Sequence, residues 1–277
     1  MNDAHTPAFR FLQDIAANLS REKLVFPTFS QATIKVRTAL EDPDIDAERL
    51  GKIVSTEPLL AARLVQMANS AALNPGGKPV GDVRSAILRV GLSSVRSVAV
   101  AVALEQLRDG AQSPAMRPFA EAAWRHSLQV AAIAYVLAKR LSRINPDEAL
   151  FAGLVHDIGH FYLLSRASAY PEMQQNPEEL AEILGQWHAS IGQAVLHDLH
   201  VSDALIEAVG EHENRHYRSP LRSLSDIVSL ANIAASKTNP VPSLRVDPVS
   251  VIKEPDIVDA LNDARGEIVA LATTLRG

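Results

Sequence analysis

The chain contains no cysteine, which removes disulfides, thiolate zinc sites and thiol nucleophiles from consideration. Any metal it binds must take nitrogen and oxygen ligands. Aromatic residues are scarce, at 5%, although 47% of the residues are hydrophobic. The core must then be built from Leu, Val, Ile and Ala, the palette of packed helices rather than of a β-sandwich or barrel. Strand-like alternation of useful length, internal repeats and low-complexity segments are all lacking. No apolar run reaches the roughly 20 residues needed to span a bilayer. The start, Met1 to Pro7, lacks the basic residues and apolar run of a signal peptide. A cytoplasmic all-α protein without membrane association is the expectation.

What is present is enough chain, 277 residues, for one large core or two modest ones. The net charge of −5 is uneven: five cations face eight anions in residues 1–48, seven face two in 49–96, and fifteen face twenty-two in 97–277. The basic middle suits an acidic partner or a polar contact between lobes. Its seven cations are too spread to form a dense patch, so the second reading is the plainer one.

Helix signals recur along the whole chain. Residues 6–19 read as an amphipathic helix, and Thr28 or Ser30 can cap a helix running to about Leu40. Asp46 caps Ala47–Ser55, and Pro58 suits the first turn of a helix through Ser70, with Leu60, Leu64, Met67 and Ala71 in one buried stripe. Asp82 caps Val83–Val90, Gly91 ends that helix, and Ser93 starts another. This pair has the outline of a helix-turn-helix, but any tight helical hairpin produces that spacing, and the thin basic content disfavours nucleic acid. The stretch 109–118 reads as a connection between lobes, followed by a long helix from about Phe119 to Leu141. Asn145-Pro146-Asp147-Glu148 is a strong helix start. Further starts lie at Asn176-Pro177, Ser202-Asp203, Ser219-Pro220 and Glu254-Pro255, the last opening a final helix to about Thr274.

The helix from Asn145 leads into Phe151-Ala-Gly-Leu-Val-His156-Asp157-Ile-Gly-His160. A histidine and an aspartate in an apolar run are costly to bury unless something answers their charge and hydrogen bonds. His126, His188 and His212 lie in helical stretches and can converge on them. His156 and His160, at i and i+4, share a helical face. A lone helical histidine is more often a core or surface residue, which is how His5, His197, His200 and His216 read. Glu213 and Asn214 read as loop solvation, and Trp124 as a core anchor.

A His-Ser pair on a helix, then Ala-Gly-Leu-x-His-Asp-Ile-Gly about thirty residues later, resembles the HD superfamily of metal-dependent phosphohydrolases. Phe-Pro-x-Phe at 26–29, Ile53-Val-Ser-x-Glu-Pro-Leu-Leu60, Ala68-Asn69-Ser70-Ala71 and Ala86-Ile-Leu-Arg-Val-Gly-Leu92 resemble its HDOD variant. The resemblance covers about residues 20–240. It implies a bacterial all-helical signalling or regulatory module, with a helical N-terminal lobe (21–112) packed on an HD-type bundle (113–240). Residues 1–20 would be a helical extension and 241–277 a C-terminal loop and helix. It also implies one or two divalent metal ions, with Fe, Mn, Zn, Mg and Ni not distinguished. Carried over residue by residue, the ligands are His126, His156, Asp157, His188 and His212. Asn232 stands where the family's later aspartate belongs, in Val228-Ser-Leu-Ala-Asn232, and Glu211 stands where two-metal, HD-GYP-like members have a second histidine.

Asn232 offers a carbonyl oxygen without charge, and Asp226, about 240° round a helix, cannot replace it. His160 stands where many active members have lysine, and no Gly-Tyr-Pro follows His212. The expectation is a regulatory module with a degenerate metal site, acting on a signalling protein or a nucleotide-type ligand. The alternative is a metal-dependent phosphohydrolase or phosphodiesterase acting on a nucleotide or cyclic dinucleotide, with Asp157 and His160 as catalytic candidates.

Overall fold

A computed structural model describes residues 7–19, 31–40, 42–69, 74, 77–109, 116–198 and 201–276. All regular structure among them is helical. In order the helices are α1 (Pro7–Leu19), α2 (Gln31–Leu40), α3 (Ala47–Val54), α4 (Pro58–Ala68), α5 (Val83–Val90), α6 (Leu92–Asp109), α7 (Arg117–Leu141) and α8 (Pro146–Val155). Then come α9 (Ile158–Ala167), α10 (Pro171–Gln175), α11 (Pro177–Asp198), α12 (Asp203–Glu211), α13 (Leu224–Ala235), α14 (Pro248–Val251), α15 (Pro255–Asp263) and α16 (Arg265–Arg276). Among the described residues no single helix is long and apolar enough to cross a membrane. The 26–29 motif, the caps at Thr28 and Ser30, His5, His200, Ser70, Ala71 and most of the 109–118 connection lie outside the described residues.

Local chemistry sets many of the boundaries. The Asp46 carboxylate accepts from the Glu48 and Arg49 amides at 3.0 and 2.7 Å, opening α3. Asp82 accepts from the Ser85 amide at 2.8 Å, and Asn145 from the Asp147 amide at 2.9 Å. The chain turns between α5 and α6 at Gly91, whose φ is +83°.

Three boundaries differ from the sequence reading. α13 starts at Leu224 rather than after Pro220, because Ser223 and Asp226 form a capping box there. The same Asp226 carboxylate takes the Arg218 and Arg222 amides at 2.9 and 3.1 Å, which holds the preceding stretch as a loop. The final helix is two helices bent at Ala264, so that Ile257 of α15 and Leu275 of α16 both reach one core. The third difference is central: the helix that begins at Pro146 stops at Val155 and resumes at Ile158. His156 and His160 therefore do not share one continuous helical face.

The buried side chains form two cores. The smaller one joins α2 to α6 through residues such as Val36, Leu50, Leu60, Leu64 and Ile87. The larger one is built on α7, α8, α9, α11 and α13, and α1 joins it through Phe11 and Ile15. α6 serves both: Val95, Val98 and Val102 face the smaller core, Ala101 and Leu104 the larger.

Two glycines flank the break after α8 and let its neighbours come close. A Cβ on Gly153 would lie 2.7 Å from the Ala131 Cα of α7. One on Gly159 would lie 1.9 Å from the His188 carbonyl oxygen of α11. Backbone thus meets backbone on both sides of His156-Asp157, drawing in the helices that carry His126 and His188.

Candidate metal centre

Five elements deliver the polar groups. His126 comes from α7, His156 and Asp157 from the break between α8 and α9, His160 from α9, His188 from α11 and Asn232 from α13. His212 follows the last residue of α12. His126, His156, Asp157, His160 and His212 are 0% exposed, His188 1% and Asn232 6%. Asp157 is the hub. Its Oδ2 lies 3.4 Å from His156 Nε2 and 4.0 Å from His126 Nε2. Its Oδ1 lies 3.3 Å from His160 Nδ1, 3.6 Å from His188 Nε2 and 3.4 Å from His212 Nε2.

Backbone carbonyls fix the tautomers of three of these rings. His156 Nδ1 is 2.7 Å from the Gly153 oxygen, His188 Nδ1 is 2.7 Å from Leu184 oxygen, and His212 Nδ1 is 2.6 Å from Val209 oxygen. A carbonyl only accepts, so each Nδ1 carries a hydrogen, and each ring in its neutral form presents its Nε2 lone pair to Asp157. An ionised carboxylate also only accepts. The outcome is a buried group of acceptors facing one another: His156 Nε2, both Asp157 oxygens and Glu213 Oε1 have no hydrogen-bond partner. Buried acceptors without donors are costly, and a cation answers all of them at once. The donor set therefore fits a metal ion of the nitrogen- and oxygen-binding kind.

The protonation tendencies agree for three of the rings. Burial pushes the His156 imidazole down to about 3, with the Asp157 carboxylate only partly offsetting it. Burial likewise lowers His126 and, together with the neighbouring His160, lowers His188. Burial works against charge at His212 too, but the Asp157 and Glu213 carboxylates overcome it and raise this ring to about 10. Burial opposes ionisation of Asp157, yet the imidazoles of His156 and His160 outweigh it and hold the carboxyl well below the usual carboxylate range. His188 and His212 shift in opposite directions although their Nε2 atoms are 3.0 Å apart. One proton serving both rings accounts for this, and a metal would compete with that proton.

Two acids change places relative to the sequence reading. Glu211 is exposed on α12 and meets the site's surroundings through its backbone oxygen, 3.3 Å from Ser229 Oγ. Glu213, read as loop solvation, instead folds back over the site. Its Oε1 lies 3.5 Å from His188 Nε2 and 3.4 Å from His212 Nε2. The available signal was an acid directly after a candidate ligand at a helix end. Asn232 Oδ1 is 3.0 Å from His126 Nε2, while its amide nitrogen donates to the His212 carbonyl at 3.2 Å. His160 stacks on His188, with centroids 4.2 Å apart and planes 13° apart. Asp226 caps α13 away from the cluster, Trp124 is a buried core residue, and His197 and His216 are exposed. Two sets result, Asp157-His188-His212-Glu213 and His126-His156-Asp157, the ligand atoms of each lying within 4.8 Å of one another and Asp157 common to both.

Known proteins share this architecture. A protein of Treponema pallidum (strain Nichols), itself uncharacterised, is 24% identical over 237 residues, which are 79% of this chain and 44% of that relative. The chain thus spans less than half the length of the curated relative it matches. A crystal structure from Shewanella amazonensis SB2B, of a protein provisionally named a metal-dependent phosphohydrolase, is 26% identical, with a TM-score of 0.76 over 97% of this chain and 99% of that one. An HDOD domain protein of unknown function from Geobacter sulfurreducens shares the fold at 20% identity, with a TM-score of 0.65 over 95% and 96% of the two chains. The family model of the HDOD domain matches residues 26–215, well over half the sequence, and the chain belongs to the HDOD domain family.

Proposed function

We propose that this HDOD protein is a regulatory module built around a closed centre that holds divalent metal, and that it works by binding a signalling protein or a nucleotide-type ligand rather than by turnover. The observation that carries this reading is the depth of the cluster. His126, His156, Asp157, His160, His188 and His212 are at most 1% exposed, whereas a catalytic metal keeps a position open to substrate. Of the described site side chains, Glu213 at 25% and Asn232 at 6% are the ones that reach outward.

The ion's ligands would be drawn from His126, His156, Asp157, His188, His212 and Glu213, with Asn232 beside them. A bound divalent ion in an open site lowers the pKa of its water and supplies hydroxide; in a closed one it contributes folding free energy. The chain's own part is to orient the rings through the Gly153, Leu184 and Val209 carbonyls and to keep water out.

Elemental analysis after expression with Mn, Fe and Zn, run beside a panel of nucleotides and cyclic dinucleotides, tests this. Bound metal without turnover is the expected result. Rapid hydrolysis that disappears in His156→Ala and Asp157→Ala would replace this reading with the phosphohydrolase one, which the completeness of the donor set favours. In that case Asp157 and His160 would be the catalytic candidates.

A further inference from the structure

The two sets that share Asp157 differ in the carboxylates they bring: one adds Glu213 to Asp157, the other adds none. We propose that this chain holds a single divalent ion, in the Asp157-His188-His212-Glu213 set, and that the His126–Asn232 pair is a hydrogen-bonded strut that takes no second ion. This rests on the metal-holding reading above and places the ion away from the half in which the superfamily's first histidine and late acid would hold it.

In the strut half the His126–Asn232 contact is already a donor–acceptor pair, although His156 Nε2 of the same set has no hydrogen-bond partner. The Asn232 amide nitrogen donates to the His212 carbonyl, which turns Oδ1 toward His126 at 3.0 Å. His126 Nε2–H donates to that oxygen, and the Thr238 hydroxyl stands between Nδ1 at 3.0 Å and the Ala235 carbonyl at 2.7 Å with one hydrogen for the two. This half is also looser, with His126 Nε2 4.0 Å from the Asp157 oxygen, and it has no carboxylate of its own.

The other half has at most the one proton that His188 and His212 share. His188 and His212 each spend their Nδ1–H on a backbone carbonyl, so the two Nε2 atoms, 3.0 Å apart, have one proton between them, which an ion would displace. Glu213 Oε1 sits 3.4–3.5 Å from both, and Asp157 Oδ1 3.4–3.6 Å from both. Ligands about 2.0–2.2 Å from a common tetrahedral cation stand roughly 3.3–3.6 Å apart, which the carboxylate-to-imidazole spacings match. Two carboxylates neutralise the divalent charge, so the buried centre carries little net charge. Glu213, the most exposed member, also provides the way in.

The full-length protein is loaded with Zn²⁺ alone, dialysed and measured for metal per chain and for affinity, with circular dichroism to check folding. One ion per chain is expected. Glu213→Gln should weaken binding at least about 10-fold, His126→Phe should keep the ion, and Asn232→Asp should raise the count to two. Two ions in the unaltered protein, or loss of the ion in His126→Phe with unchanged affinity in Glu213→Gln, overturns the assignment while leaving the metal-holding reading intact. Binding of no divalent ion at all removes that reading too. Should His126→Phe not fold, the Asn232→Asp count decides: two ions support the strut, one overturns it.

Discussion

The two cores of this protein solve different problems. The smaller, around Leu50, Leu60 and Leu64, is filled by aliphatic side chains, and its stability follows from apolar area removed from water. The larger encloses five histidines and an aspartate at essentially no exposure, in the middle of otherwise aliphatic packing. Burying such groups is a net cost unless their charges and lone pairs are met. One core is held by aliphatic contact alone, whereas the other, on the metal-holding proposal, depends on what occupies its centre.

The strongest way to break this contrast is to strip the metal. Both tryptophans, Trp124 and Trp187, belong to the larger lobe, so their fluorescence reports on it alone. Chelation is expected to lower the fluorescence-detected melting temperature on the order of 10 °C. Hydrogen exchange of α4 amides should change far less, and equal loss in both lobes would erase the distinction. Next in size is Gly159→Ala. Its Cβ would meet the His188 carbonyl, so about 3 kcal/mol or more of stability should be lost together with metal content, read by denaturant titration and elemental analysis. Leu64→Ala is the matching change in the smaller core. It should cost about 2–5 kcal/mol by the same titration yet leave the metal content unchanged.

The smallest effect concerns Asp226 and depends on pH. Burial opposes its ionisation, but the Arg218, Arg222 and Ser223 amides and the Ser223 hydroxyl outweigh that and lower its pKa. A carboxyl with a depressed folded pKa stabilises above its unfolded value and loses that contribution as pH falls through the folded value. Asp226→Asn should therefore cost about 1–2 kcal/mol at pH 7, and the difference from the unaltered protein should shrink below about pH 4. A gap that stays constant down to acid would mean that the lost contact is not electrostatic.

The parts of this molecule that were legible in its sequence are those decided locally. Asp46, Asp82 and Asn145 cap where they stand because a side-chain oxygen two or three residues from an amide needs nothing else. The convergence of His126, His156, Asp157, His188 and His212 was legible through a family pattern, since no local rule joins residues so far apart. What escaped was set by packing between helices. The break at His156-Asp157 is imposed where α8 leans on α7 and α9 on α11, and helix propensity alone would run through it. Glu211 and Glu213 were exchanged for a related reason. On α12 successive residues point about 100° apart, so with His212 facing inward Glu211 faces out. Glu213, beyond the last turn, is free of that rotation and returns over the rings.

α6 is an unbroken rod that turns Val95, Val98 and Val102 into one lobe and Ala101 and Leu104 into the other, where it lies against α8 and α9, the pair that frames Asp157. Tilting one lobe against the other must either bend that rod or unseat Ala101 and Leu104. A load applied to α2–α5 is consequently delivered to the frame of the aspartate, and the small lobe is mechanically the handle of the large one.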